Sequence, residues 1–393
     1  MKRINHRKLT MALLVGLILM ISTPSLPAYP PDNAAVLYYR ACLLYQPDDP
    51  MKDRLVELIK GEIELGESIE KYVQKNRDAI DFVIDAADVE SCDWGVDYDQ
   101  GLATVLPYYG PLRHMAYLVL ADAKVSAARG HYQLALDRCL SVRKMARHVG
   151  NGNFISYLVG ISVEALANKC IQSILGDMPE DPDGLTRLKS RLTHLEIRRE
   201  PLKAAVLTEA ESCMTDMHIE RKQQILEFFS DEEIASSLSE GTWQRLRNAD
   251  EEFFRNNKDY WQRHVDQVLA ALDLPYQQAH ARLKELGEYI SRDVIENPDA
   301  TLASLMWPAS SSILTLAIRT QTHSNAVRAA LRLYLINAED GSLPDTLPAE
   351  LPKDLFSGKD FEYEKKTDGF VLRCRGKDLK EDRIHEYEFK VTN

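Results

Sequence analysis

The sequence predicts a mainly α-helical fold of antiparallel helical hairpins, closed by a small C-terminal α+β module that contains a three-stranded antiparallel sheet. Three observations predict it. Through most of residues 32–338 apolar side chains recur three and four positions apart, the period of a helix with one buried face. Glycine and proline interrupt this pattern where helices would end. After Asp340-Gly341 the period drops to two around an Asp368-Gly369 turn, a hairpin signature. The organisation expected is a leader at 1–28, a helical domain at 29–300, and a long helix with a β-rich module at 301–393.

The leader opens with Lys2, Arg3, Arg7 and Lys8, continues with an apolar run from Met11 to Ile21, and exits through Pro24, Pro27 and the small residue Ala28. Charge, apolar core and small-residue exit in that order define an export signal. The apolar run has 11 residues, against the ~20 that span a bilayer as a helix, so cleavage after Ala28 is expected. The expected location is the periplasm or cell envelope, or outside the cell. Membrane contact is expected only through this segment if it stays uncleaved.

Asp32 or Asn33 caps a first helix carrying Ala35, Val36, Tyr38, Tyr39, Cys42 and Leu43, and Pro47 to Pro50 breaks it. Amphipathic stretches follow at Met51 to Glu64 and at Ile69 to Ala87, then a long loop from Ser91 to Gly110. Pro111 suits the first turn of the next helix, which ends at Arg129-Gly130. Its partner runs from Tyr132 to His148, and beyond Gly150-Asn151-Gly152 an apolar helix occupies Phe154 to Leu175. More polar helices are read at Leu185–His194, Pro201–Phe229 and Trp243–Leu272, and a last long one at Ser310–Ala338. Strands are expected around Phe361–Glu364, Phe370–Cys374 and Ile384–Val391.

Two segments resemble known families. The pattern Ala123-x-x-x-Ala127-x-x-Gly130-x-Tyr132-x-x-Ala135-Leu136, within a hairpin at about 112–148, is similar to a tetratricopeptide helix–turn–helix. No second copy follows at the ~34-residue period, and a stack needs about three. The pattern Ala330-Leu331-x-Leu333-Tyr334, Asp340-Gly341-x-Leu343-Pro344-x-x-Leu347, Leu351-Pro352-Lys353-Asp354-x-Phe356-Ser357-Gly358, Phe361-x-Tyr363 and Gly369-Phe370-Val371-Leu372 resembles the globular part of type II secretion pseudopilins. The resemblance implies a helix that leads through a Gly-x-x-Pro bend to a small sheet. Pseudopilins place that helix at their own N-terminus, whereas here it begins near residue 310, so a pilus subunit is not expected. Their acidic calcium loop is not recognisable, so no metal is carried over. Leader, helical body and tail together resemble a group of exported bacterial proteins that offers an architecture and no activity.

A net charge of −12 and the lack of a basic stripe exclude nucleic acid as a partner. The six cysteines, Cys42, Cys92, Cys139, Cys170, Cys213 and Cys374, show no C-x-x-C. Cys139 and Cys170 fall on neighbouring helices. They are read either as a disulfide, suited to an exported protein, or as two small buried hydrophobes.

No hydrolase, nucleotide or zinc motif is present, and no cofactor or metal is expected. Glu164 stands inside the apolar run Leu158 to Ala167. Such a carboxylate takes a cationic partner or a raised pKa. Arg113, His114, Arg143, Arg147 and His148 on neighbouring helices could face it. Facing His114 or His148 it would be a general acid or base; facing an arginine it would be a structural ion pair. Glu209, Cys213, Asp216 and Glu220 fall on one helix stripe, which alone does not define a metal site. Trp243, Phe253, Phe254, Tyr260 and Trp261, with Trp94, form either core or a binding surface. His131, His264, His280 and His323 are read as surface or capping residues. The function expected is a non-catalytic interaction or scaffold protein that binds a protein or peptide partner of the envelope through a helical groove. The alternatives are a hydrolase using Glu164 with a histidine, and a secretion accessory using the tail.

Overall fold

The computed structural model describes residues 32–195, 200–230 and 238–391; the expected leader lies outside them. The protein is mainly helical and ends in a three-stranded antiparallel sheet. Helices α1 (Ala34–Leu44), α2 (Asp49–Lys60), α3 (Glu67–Lys75) and α4 (Arg77–Ala87) precede the central hairpin of α5 (Tyr109–Ala128) and α6 (Tyr132–Val149). Gly130 takes a left-handed φ of +79° at the hairpin turn, a conformation open to glycine at little cost. Helix α7 (Phe154–Asp177) packs back on α6, and α8 (Pro182–His194) and α9 (Glu200–Asp216) follow.

Several helices read as single from the sequence are broken. The stretch 69–87 divides at Asn76, which is 1% exposed. Its side chain accepts from Gln46 N at 2.8 Å and donates to Tyr72 O at 3.1 Å, tying the helix break to the proline loop. The helix expected to run from Pro201 to Phe229 stops at Asp216, and α10 (Lys222–Phe229) resumes it. The stretch 243–272 becomes α11 (Glu240–Asn248) and α12 (Glu251–Ala271), with Asp250 capping α12 through Phe253 N at 2.9 Å. Helices α13 (Tyr276–Glu296), α14 (Thr301–Met306) and α15 (Ser310–Asp340) complete the helical part.

Helix α15 joins the two parts of the chain. It packs against α7, α8 and α13, and its C-terminal half supports the sheet. Tyr334 meets Phe370 edge-on and donates to Lys390 O at 2.5 Å. Strands β1 (Glu362–Lys366) and β3 (Glu386–Lys390) flank β2 (Gly369–Arg373), each antiparallel to it. Residues Phe370, Leu372, Tyr387 and Phe389 turn to the core. The regions Phe154–Asp177 and Pro298–Asp340 have the length and apolarity to cross a membrane. For the first, 61% of the apolar window is buried within the protein, as in a core helix.

The module contains a repeat that the sequence analysis overlooked. Asp354-Leu355, Lys359 and Glu362-Tyr363-Glu364-x-Lys366 recur 24 positions later as Asp378-Leu379, Arg383 and Glu386-Tyr387-Glu388-x-Lys390. Each copy is a loop closed on itself and followed by an outer strand. Asp354 N donates to Lys359 O at 2.9 Å, and Asp378 N to Arg383 O at 2.8 Å. Both aspartates are 0% exposed and cap their loops by accepting backbone N–H groups.

Two histidines depart from the surface role expected. His323 stacks on Tyr387 and bonds Gln172 Oε1 at 2.8 Å, and burial lowers its pKa to about 3. His264 is 4% exposed, meets Trp307 edge-on, leaves Nε2 without a partner, and is lowered by burial to about 4. A histidine whose folded pKa lies below its unfolded value contributes full stability above the unfolded pKa and loses it as pH falls toward the folded one. Acidification from about pH 6.5 to about pH 4 should therefore cost up to about 3 kcal/mol through His264. Urea unfolding of the His264→Leu variant should show a smaller loss over that interval; an unchanged pH profile would refute the assignment.

Candidate functional site

A large open cavity lies where α6 ends and α7 begins. Gly160 of α7 stands against Gly150: a Cβ at Gly160 would sit 2.7 Å from both Gly150 Cα and Ala146 O. The two helices thus meet backbone to backbone at the Gly150-Asn151-Gly152 turn. Asn153 caps α7 by accepting from Ser156 N at 3.1 Å, and Glu209 of α9 accepts from Phe154 N at 3.2 Å. This anchored corner forms one wall of a cleft of about 1090 Å³. The other walls come from residues 87–92, from the end of α8 and from the start of α9. A second pocket of about 390 Å³, walled by the long loop and α9, shares Cys92, Asn151 and Gly152 with it. The long loop is fixed by Trp94, whose Nε1 donates to His148 O at 2.8 Å and whose ring stacks on Tyr108 at 4.8 Å.

Glu164 lines the cleft and is 1% exposed. Its partner is Arg143, 2% exposed, with Nη2 donating to Glu164 Oε1 at 2.8 Å. The same nitrogen reaches Ser324 Oγ at 3.0 Å and Leu195 O at 3.3 Å. Burial raises the Glu164 pKa, opposed by the charges of Arg143 and Arg147, and burial lowers that of Arg143. Arg143 Nε and Nη1 and the Tyr157 hydroxyl are buried without hydrogen-bond partners.

The two histidines proposed for Glu164 are placed differently. His148 lines the cleft, but its Nδ1 lies 3.1 Å from the Tyr38 hydroxyl, and burial lowers its pKa. His114 sits away from the cleft beside Tyr45 and Tyr117, also with a pKa lowered by burial. No hydrogen bond joins either to Glu164. Cys139 and Cys170 are fully buried with their thiols in contact, but both are free, and burial pushes the Cys139 thiol well up.

The acidic stripe disperses into separate roles. Glu209 caps α7, Cys213 and Asp216 are buried, and Glu220 is exposed. Trp94, Phe254, Tyr260 and Trp261 are buried, whereas Trp243 and Phe253 are partly so. Among the described residues, Asp378, Glu381 and His385 do lie at metal-ligand spacing. Arg319 occupies their centre, donating to Asp378 Oδ2 at 2.6 Å and pairing with Glu381 at 2.6 Å, while His385 Nε2 meets Asp378 Oδ2 at 2.9 Å. Burial raises the Asp378 pKa, but the bonds from His385, the Glu381 amide and Arg319 outweigh it and hold the group at about 2. A dication would have to displace the guanidinium, so these residues fit an ion-pair cluster and not a metal site.

Tyr157 and Gly160 were not singled out in the sequence, whereas Arg147, named there as a possible partner of Glu164, lies exposed on the cleft wall. The signal was present: Tyr157, Gly160 and Glu164 fall at i, i+3 and i+7 on one face of the helix. Comparison with protein-family models, curated proteins and solved structures gives no match.

Proposed function

We propose that this chain is an exported, non-catalytic binding protein of the cell envelope that holds a segment of a protein or peptide partner in the cleft beside α7. The observation that carries this reading is the pairing of Glu164 with Arg143 at the wall of an open cleft of about 1090 Å³. A guanidinium stays protonated and cannot relay a proton, so the carboxylate lacks the partner that acid–base hydrolysis needs. The volume exceeds what most small ligands fill and suits a run of residues. Export rests on the residue pattern at 1–28, and the tetratricopeptide-like hairpin and pseudopilin-like tail are consistent with an interaction role.

The test uses the mature chain 29–393 to recover partners from envelope extract, in parallel with Ala204→Trp. Ala204 is exposed on the cleft wall, so the indole obstructs the cleft without entering the core. The obstructed variant should lose at least about tenfold in affinity, or about 1.4 kcal/mol. Equal binding by both proteins would place the partner elsewhere.

A further inference from the structure

Resting on the export reading above, we infer that Cys139 of α6 and Cys170 of α7 are a disulfide-forming pair, which an oxidising compartment converts into a bond between the two helices that meet at the cleft. The helices run antiparallel from the Gly150-Asn151-Gly152 turn, and two contacts set their register. Gly160 abuts Gly150 and Ala146, and Glu164 meets Arg143 at 2.8 Å. Positions 139, 143, 146 and 150 follow one another at spacings of four, three and four, so they share the face that α6 turns to α7. Cys139 is four residues before Arg143 and Cys170 six after Glu164, which carries them about 6 Å and about 9 Å further from the corner. They arrive opposite each other: both are 0% exposed and their thiols touch. Beyond Cys139, the Cys170 thiol meets the Leu120 carbonyl at 3.9 Å.

The other four cysteines have different neighbours. Cys213 turns its thiol to Glu209 at 4.0 Å, Cys374 lies beside Asp354 and Tyr387, and Cys42 and Cys92 lie near Tyr39. A disulfide spans only about 4.4–6.8 Å between Cα atoms, and the Gly150–Gly160 contact already draws α6 and α7 together backbone to backbone. Bond formation is an exchange with a disulfide of the compartment. One cysteine thiolate attacks that disulfide, giving a mixed disulfide and one thiol; the other cysteine thiolate then attacks the mixed disulfide and expels the second thiol. The two cysteines lose two protons and two electrons, and the oxidant's S–S bond is reduced to two thiols. In the folded chain burial suppresses the Cys139 thiolate and bars the oxidant, so the exchange takes place before α6 and α7 close. The product ties residue 139 to residue 170 and holds together the two helices behind the cleft corner.

The test is refolding of the chain 29–393 from urea in a mixture of reduced and oxidised glutathione, followed by alkylation in denaturant and peptide mapping. A cross-linked Cys139–Cys170 peptide should appear, and the other four of the six cysteines should stay open to alkylation. Protein refolded with dithiothreitol should keep all six thiols and melt at least about 5 °C lower. Cys139→Ala should leave Cys170 open to alkylation after the same glutathione refolding, with no new cross-link. The same mapping on protein from the cells that produce it, with thiols trapped by alkylation at lysis, should find the bond. Both thiols alkylated after glutathione refolding, or either joined to a different cysteine, would overturn the inference. A bond that forms in glutathione but is absent from the cellular protein would keep the pairing and overturn the export reading.

Discussion

Replacing Arg143 with methionine should lower the unfolding free energy by about 3–5 kcal/mol and make the remaining stability fall as pH rises. Arg143 is the counter-ion of a carboxylate that is 1% exposed, and it also ties α6 to the end of α8 and to α15 through Leu195 and Ser324. Without it, Glu164 is a buried charge with only Arg147 near. Burial already holds the Glu164 pKa above its ordinary value. A carboxylate raised in the folded state contributes its stability at low pH and loses it as pH rises through the folded pKa. Removing the arginine raises that pKa further, so the variant should be less stable at about pH 8 than at about pH 5, with a steeper slope than the parent. Urea denaturation at both values measures this. The double variant Arg143→Met, Glu164→Leu should recover most of the loss, because an apolar pair carries no desolvation cost. A single variant as stable as the parent at both values would show that the pair does not hold the helices.

The second large effect is expected at Asp354. Its side chain accepts from four donors: Phe356 N at 2.9 Å, Ser357 Oγ at 2.6 Å, Arg375 N at 2.9 Å and Gly376 N at 2.8 Å. Alanine orphans three backbone amides, in a loop where Phe356 stacks on His385. Each charge-assisted bond is worth about 1.5–3 kcal/mol and such losses are not additive, so the total should be about 3–5 kcal/mol. Asparagine keeps one acceptor and should lose less. Hydrogen exchange should show the Arg375 and Gly376 amides opening before those of α6 and α7. Protection of those two amides unchanged by Asp354→Ala would refute the capping account.

The helical body and the turn to β structure at Gly341 could be read from periodicity because both depend on local burial pattern. The breaks at Asn76, after Asp216 and at Ala249-Asp250 could not. None carries glycine or proline, and the first depends on hydrogen bonds to a loop 30 positions away. Glu164 stood out because a carboxylate in an apolar helix needs a partner. The choice of Arg143 over His148 depends on how α6 is rotated against α7, which the close Gly150–Gly160 approach determines and a single helix pattern does not. His264 and His323 were misjudged for a related reason: an isolated histidine carries no periodic signal, and its burial comes from aromatic neighbours far along the chain.

The repeated loop–strand unit creates a problem of strand identity during folding. Strands β1 and β3 share the pattern Glu-Tyr-Glu-x-Lys and both pair with β2 in the same sense, so exchanging them would satisfy most backbone hydrogen bonds. Near-degenerate alternatives of this kind are frustration, and a sequence must break the tie. The tie is broken at the one variable position within that pattern. Phe370 has Lys365 across from it on β1 and Phe389 on β3. Phe389 is 1% exposed and stacks on Phe370 at 5.2 Å, whereas the Lys365 ammonium turns out to Leu343 O at 2.7 Å. Swapping the strands would bury the ammonium and expose the ring. One aromatic-for-lysine difference between two otherwise matching strands thus encodes which is the inner edge of the sheet and which the outer.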